Sequence, residues 1–481
     1  MKIIHVTKSL LRHHQLSIFI AIFLVLISLT PGENTVSAQE GEPNGPVYIV
    51  QEGDTLWDIA QRFGVPWEDL ARVNEISDPG QLAAGDELVI PGFDDAAGVL
   101  VTTQVPFGEN LRSLSRRYNL SQDSIILLNH LTSPQELYRG YNLVIPERNQ
   151  VESSVARSAL AGGQSLLELA IASGMTPWEY VIGNELEGTW SAVPGDVMFV
   201  PELDSADGPG SLPGEISNIQ FTPDPLVQGK TSVLRLKSSE EMEIGGSLIE
   251  NQLNFFLYDS GEYVALQGIH ALTEPGFYPI TIQGELANGV PFGFSQNIYV
   301  GAGDFIFASL QVPPETIDPE VTGPEDVIWN KLAKPVTSTR YWDGIFQSPV
   351  APAPCGFTDY FGNRRSYNGS PYNYFHTGLD FCYNYNNEVN EIYAPADGVV
   401  VFAGPLVVRG NAVMIDHGYG IYSGYMHQKE IKVEEGEHVE SGQVIGIVGG
   451  TGRVNGPHLH FEIWAGGVQV DPLDWLERSY P

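Results

Sequence analysis

Six of the eleven histidines fall in residues 346–481: His376, His417, His427, His438, His458 and His460. His376-Thr-Gly-Leu-Asp380 sets an imidazole and a carboxylate four residues apart. Gly378 between them disfavours a helix, so the pair has to converge through an extended turn. Gly456-Pro-His-Leu-His-Phe-Glu-Ile-Trp464 reads as a strand. Alternate side chains of a strand share a face, which puts His458, His460 and Glu462 on one side and Leu459, Phe461 and Ile463 toward a core. Two imidazoles about 7 Å apart on one strand face suit a metal ion and a neighbouring base. Catalytic zinc keeps three protein ligands and one position for water, and His376, Asp380 and one histidine of the His-Leu-His pair supply three of the right kind. His417, in an Asp-His-Gly turn, reads as structural. His438, in an acidic stretch, reads as a surface residue.

The surrounding motifs are F-G-N-R-R-S-Y-N-G, H-T-G-L-D-F, A-P-A-D-G-V-V, G-N-A-V-M-I-D-H-G-Y-G, Y-M-H, G-Q-V-I-G-I-V-G-G-T-G and G-P-H-L-H-F-E-I. In this order, over about residues 346–477, they resemble the lysostaphin/LytM-type zinc endopeptidases. The resemblance implies a β-rich peptidase domain at 346–477 with one zinc ion held by His376, Asp380 and His460. It also implies two catalytic histidines, His427 and His458. His458 would take the water proton and return it to the leaving amine, and His427 would stabilise the oxyanion, with the two roles interchangeable. Some relatives lose ligands and only activate amidases; this chain keeps all five positions. It departs from the pattern at Cys382 to Glu391, a stretch rich in Asn and Tyr beside the expected cleft.

Those residues need a scaffold, and the first half of the chain is repetitive. Gly53, Gly108 and Gly163 are 55 apart, as are Leu56, Leu111 and Leu166, Asn74, Asn129 and Asn184, and Gly85, Gly140 and Gly195. Landmarks on one step in three successive units mean three copies of one module. Each reads β-α-α-β, with Asp54 or Thr55 capping the first helix of the first copy. E-G-D-T-L-W-D-I-A, A-R-V-N and G-D-E-L-V-I-P resemble the LysM module, at 47–92 and 100–147, with a degenerate third copy at 155–202 that serves as a spacer if it has lost binding. The resemblance implies binding of N-acetylglucosamine chains, at the loops near Gly53 to Thr55 and Ile76 to Gly80. Leu56, Asn74 and Ile90 read as scaffold.

A linker is expected at 203–214, an immunoglobulin-like β sandwich at 215–302 and a connector at 303–345 with a short helix near Glu325 to Leu332. Asn288-Gly289 marks a hairpin in the sandwich. Lys2, Lys8 and Arg12 before the apolar run Leu16 to Leu29, then Val36-Ser-Ala38, read as an export signal over 1–38. Export permits a disulfide between Cys355 and Cys382.

Composition narrows the partners. With 24 Lys+Arg against 59 Asp+Glu, the charge of −35 argues against nucleic acid and anionic membranes. Membrane contact is expected only through an uncleaved signal, and a monomer is expected. The resulting expectation is an exported, multidomain peptidoglycan hydrolase, docked on wall glycan and cutting a stem or cross-bridge peptide bond. The rivals are a catalytically silent activator of another hydrolase and a carbohydrate-binding adhesin.

Overall fold

The computed structural model describes residues 45–147, 155–201, 208–259, 261–312, 314, 317–352, 356–386 and 389–481. The expected export signal and Cys355 lie outside these residues, and with them the Cys355–Cys382 bridge. Among the described residues no helix is long and apolar enough to cross a membrane.

The repeat is β-α-α-β three times. The first copy runs Pro46–Ile49, Leu56–Arg62, Trp67–Val73, Glu87–Val89. The second runs Gly98–Gln104, Leu111–Tyr118, Gln122–Asn129, Asn142–Glu147, and the third Val155–Ala159, Leu166–Ala172, Pro177–Gly183, Val197–Pro201. The step of 55 has physical causes. Thr55, Asn110 and Ser165 each cap the first helix by accepting the N–H three residues on. Asn74, Asn129 and Asn184 end the second helix. Each donates to the carbonyls four residues back and 15 residues on, and accepts the N–H of that second residue at 2.7 Å. The asparagine is a clamp between helix and closing strand, and Leu56 and Ile90 are buried core. The period does not reveal that the first two copies share one sheet, in which Pro46–Ile49 pairs parallel to Gly98–Gln104.

Residues 216–301 form two sheets. One orders Asn251–Asn254, Glu243–Leu248, Gly276–Glu285, Pro291–Gly301 and Leu226–Val227. The other orders Phe256–Asp259, Glu262–Gly268, Thr231–Ser238 and Ile216–Thr222. Phe221, Leu234 and Leu236 meet Ile280, Ile282 and Phe294 in the core between them. The Asn288-Gly289 turn joins Gly276–Glu285 to Pro291–Gly301, with Gly289 at φ +81°.

The repeats do not hang on a free tether. Leu212, inside the expected linker, is fully buried, and its carbonyl accepts from Arg157 at 2.9 Å. Gly108 N–H donates to Gln296 Oε1 of the sandwich at 3.1 Å, and Phe107 packs edge-on against Phe221 and Phe294.

The C-terminal sheet carries the histidines. Its main path orders Phe357–Asp359, Leu379–Cys382, His458–Ala465, Ile421–Ile431, Gly410–Gly418, Gly398–Leu406 and His438–Val439. Leu459, Phe461 and Ile463 enter its core, as the alternation required. Val233, Val264 and Leu266 of the sandwich join the same core, Trp475 Nε1–H donates to Thr231 Oγ1 at 2.9 Å, and Lys230 pairs with Asp471 and Asp474. The expected connector is more than a spacer. It holds a Pro319–Leu332 helix that begins earlier than the sequence suggests and buries Trp329 among Met414, Tyr422 and Trp464.

Candidate metal centre and active site

Strand register assembles the site. Asp380 sits directly opposite His460 across Leu379–Cys382 and His458–Ala465. On the other flank Met426 lies opposite His460, which brings the next residue, His427, to the same end of the sheet. His376 follows the short Tyr374–Phe375 strand, and the extended turn through Gly378 returns the chain to Asp380. Gly378 is required by close approach, since a Cβ there would lie 2.3 Å from Phe461 O and 2.8 Å from His460 Nε2.

His376 Nε2, His460 Nδ1 and Asp380 Oδ1 converge, with separations of 3.1 Å (His376–Asp380), 2.8 Å (His460–Asp380) and 3.0 Å (His376–His460). Backbone and carboxylate partners set the tautomers. His376 Nδ1–H donates to Tyr360 O at 2.9 Å, and His460 Nε2–H to Glu462 Oε1 at 3.3 Å. Two imidazole nitrogens and a carboxylate oxygen therefore face one point, the donor set of a metal cation. Donors on a tetrahedral zinc with ligand lengths near 2.0–2.1 Å stand roughly 3.3 Å apart, close to these spacings. The residues fit a zinc ion.

Burial disfavours charge on Asp380, but the His376 and His460 imidazoles beside it hold its carboxyl well below the usual range. Burial likewise lowers His460, and Asp380 and Glu462 outweigh it, raising the ring to about 9 without a metal. Glu462 is fully buried. Beyond His460 it accepts the indole N–H groups of Trp329 and Trp464, both at 2.9 Å, and Gln469 at 3.1 Å. The alternation shows Glu462 on the histidine face but not its task. Trp329 comes from 133 residues upstream and has no signal in the motif at all.

His427 and His458 stand at the rim, with ring centroids 4.9 Å apart. His427 Nδ1–H donates to Thr451 O at 2.9 Å and His458 Nδ1–H to Gly456 O at 3.0 Å, so each has a bare Nε2. His458 Nε2 lies 3.7 Å from Asp380 Oδ1. Burial, with His460 and His458 beside it, pushes His427 down to about 3. Its backbone is left-handed at φ +63°, a costly conformation for a non-glycine residue and one that clusters at functional sites. With its Nδ1–H on Thr451 O, a neutral His427 presents an acceptor at Nε2.

Residues 374–472 match the model of peptidase family M23, and residues 48–91 and 104–146 match that of the LysM domain. The chain carries LysM domains and a C-terminal M23 peptidase domain. Over 98 residues it is 44% identical to the DD-carboxypeptidase/endopeptidase Mpg of Neisseria meningitidis, covering 20% of this chain and 22% of that protein. It is 41% identical to the peptidoglycan DD-endopeptidase ShyA of Vibrio cholerae over 98 residues, with the same shares. The chain thus spans about a fifth of the length of these relatives. A solved putative M23 peptidase of Pseudomonas aeruginosa is 24% identical and aligns over 53% of this chain and 96% of its own, at a TM-score of 0.40. All five histidine and aspartate positions of the site fall within the matched M23 segment.

The other two histidines of this domain, His417 and His438, lie outside the site. His438 is exposed. His417 is fully buried, with Nδ1 on Asp397 O and Nε2 on Ser423 Oγ, both at 2.7 Å. Burial pushes it down to about 4. Unfolded histidine titrates near 6.5, so between those values the unfolded chain takes up a proton that the folded one refuses. This contribution is complete above about pH 6.5 and is lost as pH falls toward 4, by roughly 3 kcal/mol. Urea midpoints at pH 7 and pH 5 are expected to differ less in His417→Gln than in the parent. An equal drop in both would remove His417 as the cause.

Proposed function

We propose that this protein is an exported peptidoglycan hydrolase, a zinc metalloendopeptidase whose LysM domains hold it on wall glycan. The convergence of His376, Asp380 and His460, with His427 and His458 at the rim of an M23 domain, carries the reading. His376, Asp380 and His460 would hold zinc, which when bound supplies a Lewis acid for the scissile carbonyl and acidifies water. His458, the more solvent-reached of the rim pair, takes one water proton on Nε2 and returns it to the leaving amine. His427 accepts from the other water hydrogen and so aims the nucleophile. Peptidoglycan as substrate is supported by the LysM match and by the names of the endopeptidase relatives.

The finer assignments follow the same reading: a third LysM-type copy at 155–202, an immunoglobulin-like sandwich, a cleaved signal over 1–38, a Cys355–Cys382 bridge and a monomeric enzyme in the cell envelope. Trp57 and Trp67 of the first copy, and Trp178 and Trp190 of the third, are exposed. The third copy thus presents indole faces rather than the plain surface of a spacer. Copies held in fixed relative positions add avidity where the spacing suits the polymer, by up to about 10²-fold without new contacts. A chain beginning at residue 215 is expected to cleave soluble muropeptides yet bind intact sacculi about 10²-fold less tightly than the full chain. Equal sacculus binding by both chains would remove the docking role.

A further inference from the structure

Beside the rim histidines lies an open cleft of about 530 Å³, within the size range of ligand sites. Its floor is the backbone of Gly449 and Gly450, its walls are Tyr383, Tyr385 and Pro457, and Lys429 closes one side. It is continuous with the active site at two points. Thr451, also in its lining, accepts from His427, and Pro457 immediately precedes His458. Gly449 cannot carry a side chain, because a Cβ would lie 2.3 Å from Lys429 N. Gly449 thus packs its backbone directly on the Lys429 strand, and it and Gly450 contribute backbone to the lining. Tyr383 and Tyr385 meet edge-on at 5.0 Å. They come from the stretch after Cys382 in which the sequence departs from the lysostaphin/LytM pattern.

Lys429 is the basic side chain in the lining of this cleft. Arg365, Arg409 and Lys432 of the same domain are each held by carboxylates. Lys429 has no ion pair among the described residues, although the chain has 59 acidic residues to 24 basic ones. A cation with no ion pair among the described residues, two tyrosines and glycine backbone at the edge of a peptidase site suit a peptide that brings its own anion. We propose that this cleft is the subsite for a substrate residue bearing a free carboxylate, with Lys429 Nζ as its cation and the tyrosines packing on its aliphatic stem. The proposal deepens the hydrolase reading and rests on it for the identity of the substrate. It selects stem peptides whose diamino acid keeps a free carboxylate over those in which that group is amidated.

The test uses the full zinc-loaded chain and two cross-linked stem-peptide dimers, one with the diamino acid's carboxylate free and one with it amidated. Cleavage is measured on both. Binding is measured on the same pair with the scissile nitrogen methylated so that neither is cut. The parent is expected to bind the free-carboxylate analogue about tenfold more tightly, as for one hydrogen bond to a charged group. Lys429→Ala is expected to abolish that ratio, Lys429→Arg to keep it and Lys429→Glu to reverse it. Lys429 is exposed, so the variants are expected to fold as the parent does. No preference in the parent, or the same preference in Lys429→Ala, overturns the subsite. A Lys429-dependent binding preference without any cleavage supports the subsite and instead sinks the hydrolase reading.

Discussion

Replacing His460 by alanine is expected to strip zinc from the protein and abolish turnover, while replacing His458, two residues away, leaves zinc in place. The two rings project from one strand face, but their partners differ. His460 Nδ1 points at Asp380 and His376, and its other nitrogen is fixed by Glu462. His458 Nε2 is 3.7 Å from Asp380 and its Nδ1 is bound only to a backbone carbonyl. Removing one of three protein ligands undoes the site, whereas removing a proton acceptor costs about 10²–10⁴-fold in rate. His427→Ala is expected to behave as His458→Ala does. Zinc content per chain, measured beside kcat for the three variants, checks this. Zinc lost from His458→Ala and retained by His460→Ala would reverse the ligand assignment.

The second large effect belongs to Glu462. It is a fully buried carboxylate holding His460 and accepting two indole N–H groups. Glu462→Ala leaves those donors unpaired in a dry interior and frees the His460 ring to turn. Zinc affinity is expected to fall by about 10- to 100-fold, the usual cost of losing an outer-shell partner. Stability is expected to fall by roughly 3–5 kcal/mol, as when one member of a buried charged network is removed. Trp329→Phe keeps an aromatic ring, removes one donor and leaves a small cavity, while Trp464 still donates to Glu462, so it is expected to weaken zinc by a smaller factor. Competition with a chelator of known affinity gives both numbers. Unchanged zinc affinity in Glu462→Ala would show that His460 needs no such support.

The candidate site was legible because its signals are local. His376 and Asp380 are separated by one turn, and the strand period alone put His458, His460 and Glu462 on one face. The step of 55 exposed the repeat because a cap and an asparagine clamp recur in each copy, and both interactions stay within one module. What escaped depends on contacts between distant segments. Trp329 reads as one residue of a connector until Glu462 is seen above it. Gln296 looks like any strand residue until it bonds Gly108. Parallel pairing between the first two LysM domains has no hydrophobic signature, because either module could have used its own edge strand alone. The proposal that His427 accepts a water hydrogen rests on one hydrogen bond, from its Nδ1 to Thr451, that no spacing encodes.

The claim that this chain cuts the peptide part of peptidoglycan meets its most direct test in one digestion. Purified peptidoglycan is incubated with the full chain, chelated or reloaded with zinc, and the new amino termini are identified. The account predicts new termini at stem or cross-bridge peptide bonds with the zinc-loaded chain, none after chelation, and none with His460→Ala. A zinc-loaded chain that releases no new termini, while still binding sacculi, would contradict it and leave a wall-binding activator in its place.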